Sequence, residues 1–339
     1  MSLDNIGFYT LSEQRALEVA QWATWRISKS EPHGLQRCEI LITDACNFKC
    51  PYCRGCAEEY KGTMRASHAF NVLHHWVNAG LKNVRFSGGE PTLHPHLVEM
   101  VKFCKLNNVQ RIAISTNGSA PRSKYDALLE AGVNDFSISL DACCAEEGDK
   151  MAGGVKGAWE TVVDNIRYLS SKTYVTVGVV LTDTNIKSMC STVDFAHSLG
   201  VADIRIISSA QENQELADAI NIPQDILDAH PILAYRVAHI KQGRKVRGIK
   251  DTDCRRCWLA VDDMAVLGNK HFPCIIHLRE GGAPIGEVGP RMRQQRNGWA
   301  AMHDTHEDPI CKKNCLDVCV DYNNAVQKYV DEDGGEPEV

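Results

Sequence analysis

Cys46-Asn-Phe-Lys-Cys50-Pro-Tyr-Cys53 sets three thiols in C-x3-C-x2-C spacing directly behind Cys38-Glu39-Ile40-Leu41-Ile42-Thr43, an apolar run of strand length. Spacings this short let one loop wrap its thiolates around a single metal centre. Soft thiolates select iron–sulfur clusters, zinc or copper(I). Structural zinc takes four protein ligands, whereas three thiolates leave one position of a cubane cluster open. Cys53-Arg-Gly-Cys56 is also a C-x2-C, so a zinc knuckle that recruits Cys56 is the alternative on the loop alone.

Beyond the loop, helix-period and strand-length segments alternate. A helix carrying Ala69, Leu73, Trp76 and Val77 ends at Gly80 and precedes the strand Asn83-Val84-Arg85-Phe86. A second helix (Leu97, Val101, Cys104) leads to Arg111-Ile112-Ala113-Ile114, and a third, from Tyr125 to Ala131, to Phe136-Ser-Ile-Ser-Leu140. Trp159, Val162, Val163, Ile166 and Leu169 mark an amphipathic helix before the strand Tyr174 to Leu181. A helix near Met189 to Leu199 and the strand Asp203-Ile-Arg-Ile-Ile207 follow. Six strands alternating with helices predict a parallel α/β architecture with ligands at the strands' carboxyl ends.

Polar groups fall at those ends. In Phe86-Ser-Gly-Gly-Glu-Pro91, Gly88 and Gly89 let backbone approach a ligand closely, and exposed backbone groups with Glu90 can bind an ammonium. Ser115-Thr116-Asn117-Gly118 ends the third strand and Ser139-Leu140-Asp141 the fourth, each a small polar set that suits a ribose or a carboxylate. Taken singly, each reads equally as a turn or helix N-cap.

Together the loop and the Gly-Gly-Glu turn resemble the radical S-adenosylmethionine (SAM) enzymes. The resemblance implies that Cys46, Cys50 and Cys53 hold three irons of a [4Fe–4S] cluster and that SAM chelates the fourth. It places Tyr52 near the adenine, and Gly88, Gly89 and Glu90 at the SAM amino group. Thr116, Asn117, Ser139 and Asp141 look like further SAM-contacting positions. It also implies a partial (β/α)6 TIM-like barrel over residues 36–210 and a one-electron reductant such as flavodoxin or ferredoxin. Cys143-Cys144 lies just beyond Asp141. A thiol beside a radical site can donate a hydrogen atom, so both are candidate catalytic groups, with bystander loop cysteines as the plainer reading. Gly153-Gly154-x-x-Gly157 does not follow a strand and reads as a flexible loop rather than a dinucleotide motif.

The pattern changes after residue 210. Residues 211–250 read as helical linker with breaks at Pro223 and Pro231. A second cysteine field follows: Cys254-Arg-Arg-Cys257, Cys274, then Cys311, Cys315 and Cys319. Ala265-Val-Leu267 and Lys270-His-Phe272 flank Gly268-Asn269, a two-residue hairpin signal that swings Cys274 back toward Cys254 and Cys257. This field resembles the twitch/SPASM extension of radical SAM enzymes, which holds auxiliary [4Fe–4S] clusters. It has six cysteines rather than seven and lacks the C-x2-C-x5-C-x3-C group. One auxiliary cluster on Cys254, Cys257, Cys274 and one later thiol is therefore expected, with two clusters or a zinc ribbon as alternatives. Arg291, Arg293 and Arg296 read as a solvated loop, and the tail after residue 330 as an acidic disordered end.

At the other end, Thr10-Leu-Ser-Glu13 reads as a capping box opening a helix to about Ser28, with Leu17, Ala20, Thr24 and Ile27 on its apolar side and Trp22 and Trp25 as packing anchors. The expected division is a helical segment (1–35), barrel (36–210), linker (211–250), auxiliary-cluster domain (251–330) and tail (331–339). A 24% charged, 44% apolar composition is that of a globular enzyme, and the start lacks a secretory signal, so a cytoplasmic protein is expected. Fifteen cysteines without an export signal point to metal or redox chemistry rather than disulfides. A net charge of −6 argues against general nucleic-acid binding. Cys38 in its strand and Cys104 on an apolar helix face read as core residues.

The twitch/SPASM resemblance favours a ribosomal peptide or protein side chain as substrate, oxidised, crosslinked or epimerised. The short N-terminal segment leaves no room for a leader-peptide-binding domain. With the C-x2-C…C hairpin, it is similar instead to the molybdenum-cofactor GTP cyclase and carbohydrate-modifying relatives. A nucleotide, a sugar or an antibiotic precursor is therefore the alternative. A zinc-stabilised, non-catalytic SAM-binding protein is the third reading.

Overall fold

The computed structural model describes residues 13–24, 36–55, 61–209 and 220–332, without the side chains of 13–15 and 22–24. Its strands are β1 (Arg37–Thr43), β2 (Asn83–Gly88), β3 (Arg111–Thr116), β4 (Asp135–Ser139), β5 (Tyr174–Leu181), β6 (Asp203–Ser208), β7 (Asp263–Leu267), β8 (Lys270–Phe272) and β9 (Gly286–Glu287). Between them run α1 (Glu13–Thr24), α2 (Ala66–Asn78), α3 (Leu97–Leu106), α4 (Arg122–Ala131), α5 (Ala145–Met151), α6 (Ala158–Ser170) and α7 (Met189–Ser198). The carboxyl-terminal part adds α8 (Gln224–Ala229), α9 (Pro231–Lys241), α10 (Leu259–Asp262), α11 (Ile275–Arg279), α12 (Met292–Met302), α13 (Pro309–Asn314) and α14 (Asp317–Glu332).

All nine strands form one sheet in the order β6-β5-β4-β3-β2-β1-β7-β8-β9. Each neighbouring pair from β1 to β6 is parallel, because every connection crosses back through a helix. This is the partial TIM-like barrel expected. The hairpin at Gly268-Asn269 also forms, with Leu267 opposite Lys270. What the pattern did not show is that β7 pairs in parallel with β1, Arg37 beside Asp263 through Leu41 beside Leu267. The cysteine-rich part thus extends the barrel's own sheet.

All seven β1 residues are buried, which explains its continuous apolar reading. Cys38, Ile40 and Ile42 pack into the helix-covered core, while Leu41 joins Ala265, Leu267, Phe272 and Leu278 on the opposite face. Cys104 is fully buried as well, so both cysteines are core residues. Arg37 is ion-paired with Asp262, whose carboxylate also accepts from Tyr322 Oη at 3.1 Å. That buried set ties β1 to α10 and α14.

In α1 the buried face is Ala16, Val19 and Ala20; Leu17, expected inside, is 39% exposed. The capping box, Trp25 and Ile27 lie outside the described residues, as does the acidic tail after Glu332. Arg291 is exposed, but the expectation of a solvated arginine loop fails at its end. Arg296 is fully buried on α12 and donates to the carbonyls of Ala260 (2.7 Å), Phe272 (2.9 Å), Pro273 (3.2 Å) and Asp263. Arg293 reaches Ala79 O at 2.7 Å. No helix among the described residues is long and apolar enough to cross a membrane.

Candidate active site

The cysteine loop leaves the carboxyl end of β1 and is pinned at three places. Ala45 N donates to Thr43 Oγ1 (3.1 Å), Gly89 N to Thr43 O (2.7 Å) and Glu90 N to Ala45 O (2.7 Å). A Cβ on Gly88 would sit 2.1 Å from Thr43 O, and one on Gly89 2.3 Å from Ala45 O. The paired glycines therefore admit the backbone of the cysteine loop at close range. Farther along, Lys49 N donates to Ala152 O at 3.1 Å. Gly153, at φ +85°, abuts the same segment, where a Cβ would lie 2.6 Å from Lys49 O. The predicted flexible glycine loop is instead a packed backstop.

Glu90 is held from several sides. It is 1% exposed, and its Oε1 accepts from Thr92 N (3.0 Å), Thr92 Oγ1 (2.6 Å) and Thr116 Oγ1 (2.7 Å). Oε2 accepts from Asn117 N at 2.7 Å. Burial pushes its carboxyl up while these four donors pull it down. Glu90 and Thr116 thus brace the turn against the end of β3.

A pocket opens beside the loop, lined by Cys50, Tyr52, Asn117, Ser139, Asp141 and Trp159, among others. Tyr52 Oη donates to Asp141 Oδ2 at 2.5 Å, and Val180 N donates to Oδ1 at 2.7 Å. Burial raises the Asp141 carboxyl to about 6, and the two hydrogen bonds offset part of the rise. Cys50 is pushed up to about 12, first by burial and then by the nearby Asp141. Cys46 and Cys53 are exposed, and Cys46 Sγ accepts from Phe48 N at 3.4 Å. Asn117 Nδ2 reaches Asn47 Oδ1 at 2.8 Å.

Tyr52, Asn117, Ser139 and Asp141 are thus gathered at one pocket with Cys50. Cys143 and Cys144 lie past it at the start of α5, outside its lining, so the structure does not bring them to the site. Cys56 lies outside the described residues. Trp159, read as a core helix residue, also lines the pocket and donates to Ala142 O at 2.9 Å. Three soft donors and an adjoining polar pocket fit an open-coordinated cluster with a chelating small molecule.

A second cavity is lined by all six later cysteines: Cys254, Cys257, Cys274, Cys311, Cys315 and Cys319. Cys274 caps α11, its Sγ accepting from His277 N at 3.4 Å. Cys254 turns toward Gln327 Oε1, 3.3 Å away. Burial raises Cys254 to about 11 and Cys257 to about 12, so the metal-free thiols are neutral. Six thiols around one space fit an auxiliary cluster.

Three arginines gather behind the cysteine loop. Arg54 follows Cys53 directly and is ion-paired with Glu280. Arg279 donates to Gly55 O and Gly88 O, each at 2.9 Å. Arg247 donates to Ser208 O (3.2 Å) and Asn314 O (3.4 Å). Burial and then the charge of Arg54 lower the Arg247 guanidinium to about 10, a sign of crowded positive charge. The sequence reading missed all three, although Arg54 stands next to a ligand cysteine.

A parallel barrel that carries a three-thiol loop and a polar pocket at its carboxyl end defines an iron–sulfur enzyme with a chelating cofactor. Residues 40–196 match the family model of the Radical SAM superfamily. Those residues form a radical SAM domain, the class of enzyme domain that pairs a [4Fe–4S] cluster with SAM. The chain is 33% identical over 110 residues to the GTP 3',8-cyclase of Chlorobaculum tepidum, covering 32% of this chain and 33% of that protein. The probable GTP 3',8-cyclase of Metallosphaera sedula is 28% identical over 51% of this chain and 55% of its own length. The match thus spans a third to about half of these relatives.

Among solved structures, Streptococcus suis SuiB bound to S-adenosylmethionine superposes with TM-score 0.55 at 16% identity, covering 83% of this chain and 67% of that one. Native anSMEcpe with bound AdoMet and a peptide gives 0.54 at 14%, covering 88% and 96%. At such identities these two share the fold alone. The curated relatives correct the expected peptide or protein substrate, since those similar in sequence are named for a nucleotide reaction.

Proposed function

We propose that this enzyme applies radical SAM chemistry to a small phosphorylated molecule, with a nucleotide as the first class to test. The observation that carries the reading is the set of neighbouring guanidinium groups of Arg54, Arg247 and Arg279 behind the cysteine loop, with Glu280 paired to Arg54. Crowded guanidinium groups are relieved by an anion, and planar forks suit phosphate. The names of the curated relatives support the same class.

Cys46, Cys50 and Cys53 would hold the cluster, while Tyr52, Asn117, Ser139 and Asp141 would border SAM. Once bound and reduced by an external one-electron donor, the cluster and SAM would supply radical hydrogen abstraction at the substrate, with methionine released. Trp159 and Met151 close the pocket wall against water. The second cavity would hold an auxiliary cluster that takes an electron from substrate or anchors it. Flavodoxin or ferredoxin would serve as donor in the cytoplasm.

The test is 5′-deoxyadenosine formation by anaerobically reconstituted protein in the presence of GTP, other nucleoside triphosphates and nucleotide sugars. A nucleotide should raise the rate above the substrate-free background and yield a modified nucleotide in equal amount. If none of these compounds does so, the nucleotide reading is wrong.

A further inference from the structure

Six thiols line the second cavity, yet a cubane cluster takes four. Cys254 already faces Gln327, and Cys311 has neighbours of another kind. One imidazole nitrogen of His303, one carboxylate oxygen of Asp308 and the Cys311 Sγ all lie within 4.8 Å of one another. His303 Nε2 is 3.2 Å from Asp308 Oδ2 and 3.9 Å from Cys311 Sγ. We propose that these three residues hold a single divalent metal ion, zinc by the chemistry of the donors, beside and separate from the auxiliary cluster.

The two donor edges that run from His303 approach those of a tetrahedron. Metal–nitrogen and metal–oxygen bonds of about 2.0 Å give an edge of about 3.3 Å, and a metal–sulfur bond of about 2.3 Å gives a nitrogen–sulfur edge of about 3.6 Å. The nitrogen–oxygen pair already stands at that edge, and the sulfur must move inward by only a few tenths of an ångström. One imidazole, one carboxylate and one thiolate balance a divalent charge. On binding, the Cys311 thiol releases its proton to solvent. No electron is transferred.

Each donor is held from behind. Asp308 caps α13, with Oδ1 accepting from Ile310 N (2.7 Å) and Cys311 N (3.1 Å), which leaves Oδ2 facing His303. The His303 ring stacks on Trp299 with centroids 4.0 Å apart and planes 16° apart, and its carbonyl accepts from Arg256 Nη1 at 3.3 Å. His277 Nε2 lies 3.1 Å from the same Asp308 Oδ2, the place of an outer partner that orients a ligating carboxylate. Three protein ligands leave a fourth position for water or a substrate heteroatom.

This inference does not depend on the substrate. Protein reconstituted anaerobically with iron and sulfide is loaded with one equivalent of zinc, desalted and analysed for zinc, iron and labile sulfide. One zinc per chain should remain, and X-ray absorption at the zinc edge should show one sulfur neighbour among nitrogen and oxygen ligands. His303→Ala and Asp308→Asn, the latter keeping the α13 cap, should each lose the zinc and retain all iron and sulfide. Zinc unchanged in both variants, or no zinc held by the parent, overturns the proposal. So does Cys311→Ser losing a whole cluster of iron and sulfide, which would make Cys311 a cluster ligand.

Discussion

Asp203 shows how a single buried carboxyl can work against the fold. It is fully buried at the start of β6, where burial pushes it from 3.8 up to about 6 despite hydrogen bonds from Ile204 N (2.8 Å) and Ile232 N (3.0 Å). Below about pH 4 the group is protonated folded and unfolded, and its contribution is intact. As pH rises toward 6 the unfolded chain ionises first, so stability falls, on the order of 3 kcal/mol in all. Urea midpoints should therefore drop between those pH values in the parent and drop less in Asp203→Asn. Equal slopes would remove Asp203 from the account. In the cysteine loop, Cys46→Ala, Cys50→Ala and Cys53→Ala should each abolish 5′-deoxyadenosine formation, because two thiolates cannot hold the cluster. Persistent turnover in any of the three would remove that cysteine from the ligand set.

Elements were legible where their own residues fixed them. The six alternating strands, the Gly268-Asn269 hairpin and the stop at Gly132 (φ +119°) all rest on local chemistry. Roles that depend on distant partners were not. Gly153 reads as flexible until Lys49 is seen against it, and the bracing of Glu90 by four donors is invisible in its own turn. Gly153→Ala should shift the cysteine loop and weaken SAM binding severalfold in equilibrium titration, with the fold intact by circular dichroism. Unchanged affinity would show that the backstop is idle. Arg296 was misread because a charged residue in a Gly-rich stretch is normally exposed. Its guanidinium gathers carbonyls from α10, β7, β8 and the turn before Cys274. Arg296→Met should cost roughly 3–5 kcal/mol in chemical denaturation, since it orphans those carbonyls. It should also release auxiliary iron faster to a chelator than the parent does.

The continuous sheet joins two cysteine fields that the sequence presents as separate. Arg279 adds a second tie, from α11 to the backbone at Gly55 and Gly88. We expect the two fields to divide the chemistry even so. Replacing Cys254, Cys257 and Cys274 together by Ala should lower iron by about four atoms per chain and leave SAM cleavage measurable. Substrate conversion should fall much further. Equal, coupled yields of 5′-deoxyadenosine and product in the triple variant would show the second field to be structural.

The pairing of β7 with β1 also sets an order of events during synthesis. Asp263 lies 226 positions after Arg37, its neighbour in the register. At about 5–20 residues per second, roughly 11–45 s pass between the two leaving the ribosome. For that interval the barrel half can fold while one side of β1 stays open, an apolar edge of the kind that recruits stray strands. A nascent chain of this protein therefore needs its last third, or a chaperone standing in for it, to protect its first strand.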